Sequence, residues 1–403
     1  MITVTEASAI ISENLFPTKN TLVSINDAFG EILQEDLITD VDFPPFHRVT
    51  MDGAAINFSA WEKGQRLFKI ENIQLAGSPQ KTLENPENCI EAMTGAILPK
   101  NTDTVIRYED TETITKDKEK FLKINLETLT FGKNVHKQGT DKKVGNVIVQ
   151  KGCKIGAAEI GVAASVGKSE ILVSQTPKIA VIATGDELVE IDQRPLPHQI
   201  RKSNVYTIQA GLQQLGVACR LYHLADNKEI LAEKLSEILT KYDALILSGG
   251  VSMGKADFVP EVLTCLGVEK LFHKIMQRPG KPFWFGKSET GKAVFALPGN
   301  PVSTFMCFYK YVKPWILESF QLKTNKQKIY AVLSQTIAFQ PSLTYFLQVQ
   351  INYGINGTLV AIPMKGKGSG DLSNLTNADG FLELPPKQTE FKAGASFPFI
   401  SYR

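Results

Sequence analysis

The sequence predicts a multi-domain α/β protein: a three-layer α/β domain with a mostly parallel sheet, flanked on both sides by β-rich segments. Three observations predict it. Between Lys178 and Phe320, short continuous apolar runs alternate with helical patterns, the rhythm of repeated βαβ units. Before Val149 and beyond Lys326 the texture changes to short strand-like runs between turns. The length of 403 residues exceeds one ordinary domain, so two to four are expected.

Taken in order, Thr5 is placed to cap an opening helix with Ile10, Ile11 and Leu15 on one face. Leu22 to Phe43 reads as a second short helical pattern and an extended run, ending at Pro44-Pro45. Phe46 to Ala55 is a loop with a turn at Asp52-Gly53. Short strands follow at Leu67–Ile70, Thr104–Ile106, Leu122–Ile124 and Val147–Val149. Two polar loops interrupt them, Thr94 to Pro99 and Gly139 to Gly145. Ala157 to Val166 is a helix of small residues, and Thr176-Pro177 marks a boundary.

The α/β region begins with a strand at Ile179–Ala183, followed by Thr184-Gly185-Asp186-Glu187. Ser203 or Asn204 caps a helix ending near Gly216, Ala218–Leu224 is a strand, and Asp226 or Asn227 caps an amphipathic helix. Ala244–Leu247 reads as a central strand buried on both faces, broken by Ser248-Gly249-Gly250. The next helix has Asp257 as its N-cap, Pro260 in its first turn and Gly267 past its end. Strands near Leu271–Ile275, Phe283–Phe285 and Ala293–Leu297 precede a long helix from Asn300-Pro301 to about Phe320. The tail carries strands at Tyr330–Leu333, Thr344–Gln350, Leu359–Ile362 and Phe381–Leu384.

Composition narrows the function classes. A formal net charge of +2 gives no global attraction to nucleic acid or to a membrane surface, so any anion binding must be local. No apolar run is long enough to span a bilayer, and the N-terminal residues do not read as a signal peptide, so a cytoplasmic protein is expected. The five cysteines are isolated, without zinc-like spacing, and read as small core residues. The histidines are scattered, with His223 and His273 in strand patterns that suit a core or edge role.

In open α/β sheets, ligands sit in the crevice beyond the strand C-termini. Four loops fall there or at helix starts: Thr184 to Glu187, Ser248 to Asp257, Arg278 to Pro282 and Leu297 to Ser303. They offer backbone N–H groups, the hydroxyls of Ser248, Ser252 and Ser303, and cations at Arg278 and Lys281, a mixture suited to an anionic, phosphorylated ligand. Asp186, Glu187 and Asp257 would repel phosphate unless a divalent cation bridged them, and Mg²⁺ suits hard oxygen ligands. Taken singly, each residue also has a structural reading: Asp257 and Asn300 as N-caps, Asp186 as a turn former. No GxxxxGK[ST], GxGxxG, HExxH or GxSxG motif is present, so catalysis would run through carboxylates, a metal and backbone donors.

In this order, Met51-Asp52-Gly53, Thr94-Gly-Ala-Ile-Leu-Pro99, Thr184-Gly-Asp-Glu-Leu188, Ser248 to Gly254 with Asp257, Pro279-Gly-Lys-Pro282 and Leu297-Pro-Gly-Asn-Pro-Val-Ser303 resemble the molybdopterin molybdenumtransferase family. This is the MoeA type, also found as the E domain of gephyrin. The resemblance continues through Gly368-Ser369-Gly370 and Asn377-Ala-Asp-Gly380 and so covers essentially the whole chain.

It implies four parts: a discontinuous N-terminal linker domain (1–26, 43–52 and 147–176), a β-rich inserted domain (27–42 and 53–146), a molybdopterin-binding α/β domain (177–325) and a C-terminal β-barrel-like domain (326–403). It also implies a homodimer with a shared active site, acting on adenylylated molybdopterin and molybdate with Mg²⁺ and releasing AMP. By motif, Glu187, Asp257, Asp52 and Asp141 carry the catalytic role, and Asp186, Glu187 and Asp257 the metal. The substrate would be bound by Thr94, Thr184, Gly185, Asp186, Ser248, Gly249, Gly250, Ser252, Arg278, Lys281, Pro298, Gly299, Asn300, Pro301 and Ser303. Asp52, Thr94 and Asp141 would reach in from the other subunit. The molybdopterin adenylyltransferase, which resembles the α/β domain alone, is an expected partner and the alternative activity; a dimeric scaffold of the same fold is the other alternative.

One stretch departs from the family pattern Phe-Asp-Asn-Ser-Ala-Met-Asp-Gly-Tyr-Ala. Here His47, Arg48, Val49 and Thr50 precede Met51, and Ala54 stands where tyrosine is usual. The His-Arg pair either adds positive charge near an oxyanion or is an exposed loop with no role, and the exposed loop is the expectation.

Overall fold

A computed structural model describes residues 1–251, 257–322, 328–364, 366 and 368–403. The chain divides into two compact units, one of residues 1–35, 151–157 and 170–403, the other of residues 36–150 and 158–169.

The larger unit is built on a six-stranded sheet. Its strands and helices in chain order are β1 (Ile179–Thr184), α1 (Asn204–Gln213), β2 (Cys219–Leu224), α2 (Lys228–Lys241), β3 (Ala244–Ser248), α3 (Val259–Cys265), β4 (Val268–His273), β5 (Trp284–Ser288), β6 (Ala293–Leu297) and α4 (Pro301–Cys307). The order across the sheet is β2-β1-β3-β6-β5-β4. The first four strands run parallel, and β5 and β4 add an antiparallel edge. β1, β3 and β6 are buried along their whole length, so alternate residues feed two cores. Ile179, Val181 and Ile246 pack with Val205, Ile208 and Leu212 of α1. Ala180, Ile182, Leu245 and Leu247 pack with Leu231, Leu235 and Ile238 of α2 and Val262 of α3. Each of the Val, Leu and Ile side chains among these contributes ~1.5–3 kcal/mol by burial, enough to define three layers.

The chain passes from β1 to β2 on one side and then returns to β3 on the other. The sheet order therefore reverses beside β1, and the ends of β1 and β3 form the crevice where ligands of such folds bind.

Beyond α4 the helical path continues as a π-type turn over Phe308–Val312 and a further helix, Lys313–Ser319. Pro314 explains the turn, because its ring clashes with the carbonyl four residues back and its nitrogen has no proton. The tail forms a closed five-stranded barrel. Thr344–Tyr353 pairs with Leu359–Pro363, which pairs with Tyr330–Leu333, then Ser396–Ser401, then Gly380–Leu384, and the last returns to Thr344–Tyr353. Closure removes the exposed edges an open sheet of this size would carry. Gln277–Arg278 pairs with Thr344–Tyr345 and ties the barrel to the α/β region.

The smaller unit holds a second six-stranded sheet, ordered Thr104–Arg107, Gly53–Ile56, Cys89–Ala92, Leu67–Gln74, Glu119–Ile124, Thr111–Lys116. Gly53 opens a strand here rather than a turn. A Cβ at this position would lie 1.8 Å from the Ile106 carbonyl oxygen, so only glycine permits the pairing.

Several local expectations are corrected. Thr3, not Thr5, caps the first helix, through a capping box in which Thr3 and Glu6 satisfy each other's backbone N–H. Leu22–Phe43 contains no helix; Asn20–Ser24 pairs instead with Glu170–Ser174. Asn227 caps α2, its Oδ1 accepting from Ile230 N–H at 3.0 Å. Phe258 stands at the N-cap position of α3 with helical backbone and no side-chain cap bond, and Asp257 lies one residue before it. Cys89 and Cys307 are core residues as expected, but Cys265 is exposed.

Candidate functional site

At the switch point the end of β1 meets the end of β3 through glycine backbone. Gly249 has φ +104°, and a Cβ there would lie 2.5 Å from the Thr184 carbonyl oxygen. The conformation and the close approach both require glycine. Thr184 is buried, and its Oγ1 has no hydrogen-bond partner while facing Gly249 and Gly250. The Pro298–Asn300 loop between β6 and α4, with the first turn of α4, closes the other side. Gly249 N–H donates to the Leu297 carbonyl at 3.2 Å, and Gly299 lies against the Gly249 Cα. Asn204, the first residue of α1, donates to Ser248 Oγ at 2.9 Å and to the Gly299 carbonyl at 2.7 Å, clamping both loops. Thr304 Oγ1 adds bonds to the carbonyls of Pro298 and Asn300. The loop Gly368–Gly370 reaches the start of α4, where Val302 N–H donates to the Ser369 carbonyl at 3.0 Å.

The structure thus joins three of the four predicted loops, with some changes of role. Ser248 and Ser303 are each only 3% exposed, and the Ser248 hydroxyl accepts from Asn204 rather than facing solvent. Asn300 is the N-cap residue of α4 by position but makes no side-chain cap bond, and Pro301 occupies the first helical position. Arg278 departs from expectation: its guanidinium carbon lies 6.0 Å from the centre of the Phe339 ring, on the barrel side. Lys281 is exposed on the same loop. Ser252 lies outside the described residues.

Beside the glycines stands a group of carboxylates. Asp186 Oδ1 accepts from Asp226 N–H at 3.0 Å, and the Glu187 carboxylate folds back over Gly185. His223 Nε2 lies 3.0 Å from the Gly185 carbonyl, which can only accept, so the imidazole carries its proton on Nε2. Burial first, then the charges of Asp186, Glu187 and Asp257, push the Asp226 carboxyl up to about 6. Its Oδ1 is buried without a partner. Asp226 is the functional candidate that sequence reasoning missed. The sequence offers it only as a helix cap, and its place just past the C-terminus of β2, the strand beside β1, is the available signal.

Among the described residues no three His, Cys, Asp or Glu side chains converge to hold a metal on their own. Asp186, Glu187 and Asp257 are therefore not a ready-made cage, because Asp186 is tied to Asp226 and Glu187 lies over Gly185. The chemistry still fits Mg²⁺, which commonly takes one or two carboxylates and completes its shell with water and substrate phosphate. The orphaned Asp226 Oδ1 and its raised pKa mark uncompensated negative charge that such a cation would relieve.

The smaller unit carries a second cluster. Strand Arg48–Val49 pairs with Val135–His136 on one side, and Val49 exchanges backbone hydrogen bonds with the Thr94–Leu98 loop on the other. Asp52, Thr94 and Asp141 therefore lie on one hydrogen-bonded patch. Asp52 Oδ1 accepts from Thr94 N–H at 2.6 Å, which holds its pKa below the ordinary carboxylate value. His47 and Arg48 are exposed, as expected, but Arg48 lies in a short strand rather than a loop. His47 Nδ1 accepts from Gln138 N–H at 3.1 Å, and Arg48 bonds to His136, because the strand pairing brings both side chains against the Val135–Asp141 segment.

Comparison with known proteins agrees along the whole chain. Residues 2–167 match the MoeA N-terminal region (domain I and II), residues 180–318 a probable molybdopterin binding domain, and residues 330–402 the MoeA C-terminal region (domain IV). The chain is 39% identical over 404 residues to a molybdopterin molybdenumtransferase of Synechocystis, covering 100% of both. It is 33% identical over 327 residues to one from Haemophilus influenzae, covering 78% of this chain and 77% of that one. A crystal structure of the molybdopterin biosynthesis MoeA protein from Pyrococcus horikoshii superposes with a TM-score of 0.84 at 28% identity, over 100% of this chain and 99% of that one. No helix among the described residues is long and apolar enough to cross a membrane. On motifs, fold and full-length similarity together, this chain belongs to the molybdopterin molybdenumtransferase family.

Proposed function

We propose that the chain inserts molybdate into adenylylated molybdopterin with Mg²⁺ and releases AMP. The observation that carries the reading is the glycine backbone at the switch point, which faces an unpartnered Thr184 hydroxyl and adjoins Asp226, whose carboxyl is pushed up to about 6 by burial and then by the neighbouring carboxylates. Backbone amides of Gly250, Gly299 and Asn300 suit the pterin phosphate and the molybdate oxyanion. Mg²⁺, held by Asp226 with Glu187 or Asp257, would supply charge neutralisation at the phosphoanhydride. A carboxylate of this set accepts the proton of the water that cleaves the phosphoanhydride, and AMP leaves.

Asp52, Thr94 and Asp141 complete the reading. Their motifs support a homodimer in which these residues act on substrate bound by the other subunit, and a four-part division of the chain at the boundaries given above. The molybdopterin adenylyltransferase is the proposed supplier of substrate. The test incubates the purified chain with adenylylated molybdopterin, molybdate and Mg²⁺, beside a parallel reaction with molybdopterin and Mg-ATP. Release of AMP with formation of the molybdenum cofactor in the first alone is expected. Turnover only in the second would replace this activity with adenylylation.

A further inference from the structure

The departure from the family pattern at His47–Thr50 carries an arrangement of its own. Arg48 Nη2 lies 3.2 Å from His136 Nδ1, and His136 Nε2 lies 2.9 Å from Asp141 Oδ1. Backbone pairing fixes both ends of this chain of contacts. His136 sits directly across from Arg48 on the neighbouring strand, and Asp141 N–H donates to the Phe43 carbonyl at 2.9 Å. Donor chemistry then sets its direction. A guanidinium has only N–H donors, so His136 Nδ1 must present its lone pair, and the imidazole proton resides on Nε2. An imidazolium would turn an N–H toward the guanidinium N–H. The Nε2 proton is therefore donated to Asp141 Oδ1, leaving Oδ2 as the open oxygen.

We propose that Arg48 and His136 are positioning residues for Asp141: the guanidinium selects the imidazole tautomer, and the imidazole N–H holds one carboxylate oxygen so that the other meets substrate in a single orientation. The proposal rests on the reading of Asp141 as catalytic. Asp52 on the same patch is held in the same manner, by the Thr94 amide on its Oδ1. With side-chain exposures of 28% for His136 and 55% for Asp141, the contact adds little to stability, so its removal reads orientation rather than folding.

The test uses the full chain with adenylylated molybdopterin and molybdate, comparing His136→Ala, His136→Gln, Arg48→Ala and Asp141→Asn, with long-range ¹H–¹⁵N spectra of the imidazole as a readout independent of activity. The expected spectrum is a single Nε2–H tautomer in the wild-type chain, lost in Arg48→Ala. His136→Ala should lower kcat on the order of tenfold to a hundredfold with KM unchanged. His136→Gln, whose amide can accept from Arg48 and donate to Asp141, should restore most of it. A mixed tautomer in the wild-type chain overturns the relay whatever the kinetics. Wild-type kinetics in His136→Ala beside an inactive Asp141→Asn overturns positioning while sparing the role of Asp141. Equal loss in the Ala and Gln variants overturns it too, and full activity in Asp141→Asn removes the reading on which it rests.

Discussion

Asp226→Asn tests the electrostatic account of the site most directly. In the folded chain, burial and then the charges of Asp186, Glu187 and Asp257 move the Asp226 carboxyl from 3.8 to about 6. That is roughly two decades, a ceiling of ~3 kcal/mol at about 1.36 kcal/mol per decade. Much of the carboxyl remains within reach of solvent, and screening lowers the expected figure to about 1 kcal/mol. The folded state binds this proton more tightly than the unfolded state. Stability from Asp226 is therefore fully present below its unfolded value of 3.8 and is lost as pH rises through about 6. Asparagine keeps the backbone N–H bonded to Asp186 and carries no charge. The variant should exceed the wild-type chain by about 1 kcal/mol near pH 7.5 and lose that advantage near pH 4. Thermal midpoints across this range, with and without Mg²⁺, make the measurement. Mg²⁺ should raise the wild-type midpoint above pH 6 and leave the variant nearly unmoved, while AMP release falls in the variant. A variant destabilised by the same margin at both pH values would refute the reasoning and make Asp226 a structural residue.

Asp257→Ala should abolish AMP release while circular dichroism and thermal midpoint stay near wild type, because Phe258 holds the N-cap position of α3. If the variant unfolds, its catalytic assignment loses support. Gly249→Ala must relieve a contact at 2.5 Å and a φ of +104°, a cost of about 2 kcal/mol, and the displaced loop should weaken molybdate-dependent turnover. Tyr311→Phe removes the hydroxyl that donates to Gln277 Oε1 inside the core and should cost about 1–3 kcal/mol in denaturant unfolding without changing the kinetic constants. Asp52→Ala leaves the Thr94 amide without its acceptor, and should lower kcat with the fold intact because both residues are exposed.

Most of the α/β fold was legible because its signals are local. Ala293–Leu297 and Ala244–Leu247 are unbroken apolar runs, and such runs become strands buried on both faces wherever helices cover a parallel sheet. Pro301 after Asn300 marked the start of α4 to the residue. The smaller unit was harder to read. Gly53–Ile56 has no alternation because all four residues are buried, and Thr111–Lys116 is a mostly exposed edge strand whose order comes from its partner Glu119–Ile124.

The sequence by itself determined three of the loops that meet at the switch point and the residue types they bring, because a strand, its turn glycines and the following helix are neighbours along the chain; the Arg278 to Pro282 loop was the exception. It also determined the family, since the motifs stand in order over the full length. Only the tertiary structure decided what those residues meet. The Asp226 carboxyl is pushed up because the fold buries it and because β2 ends beside β1 and brings it against Asp186, Glu187 and Asp257. Arg48, His136 and Asp141 form a chain of hydrogen bonds because one short strand pair closes the 88 residues that separate Arg48 from His136. Charge repulsion and hydrogen-bond direction depend on distance in space, which spacing along the sequence does not encode.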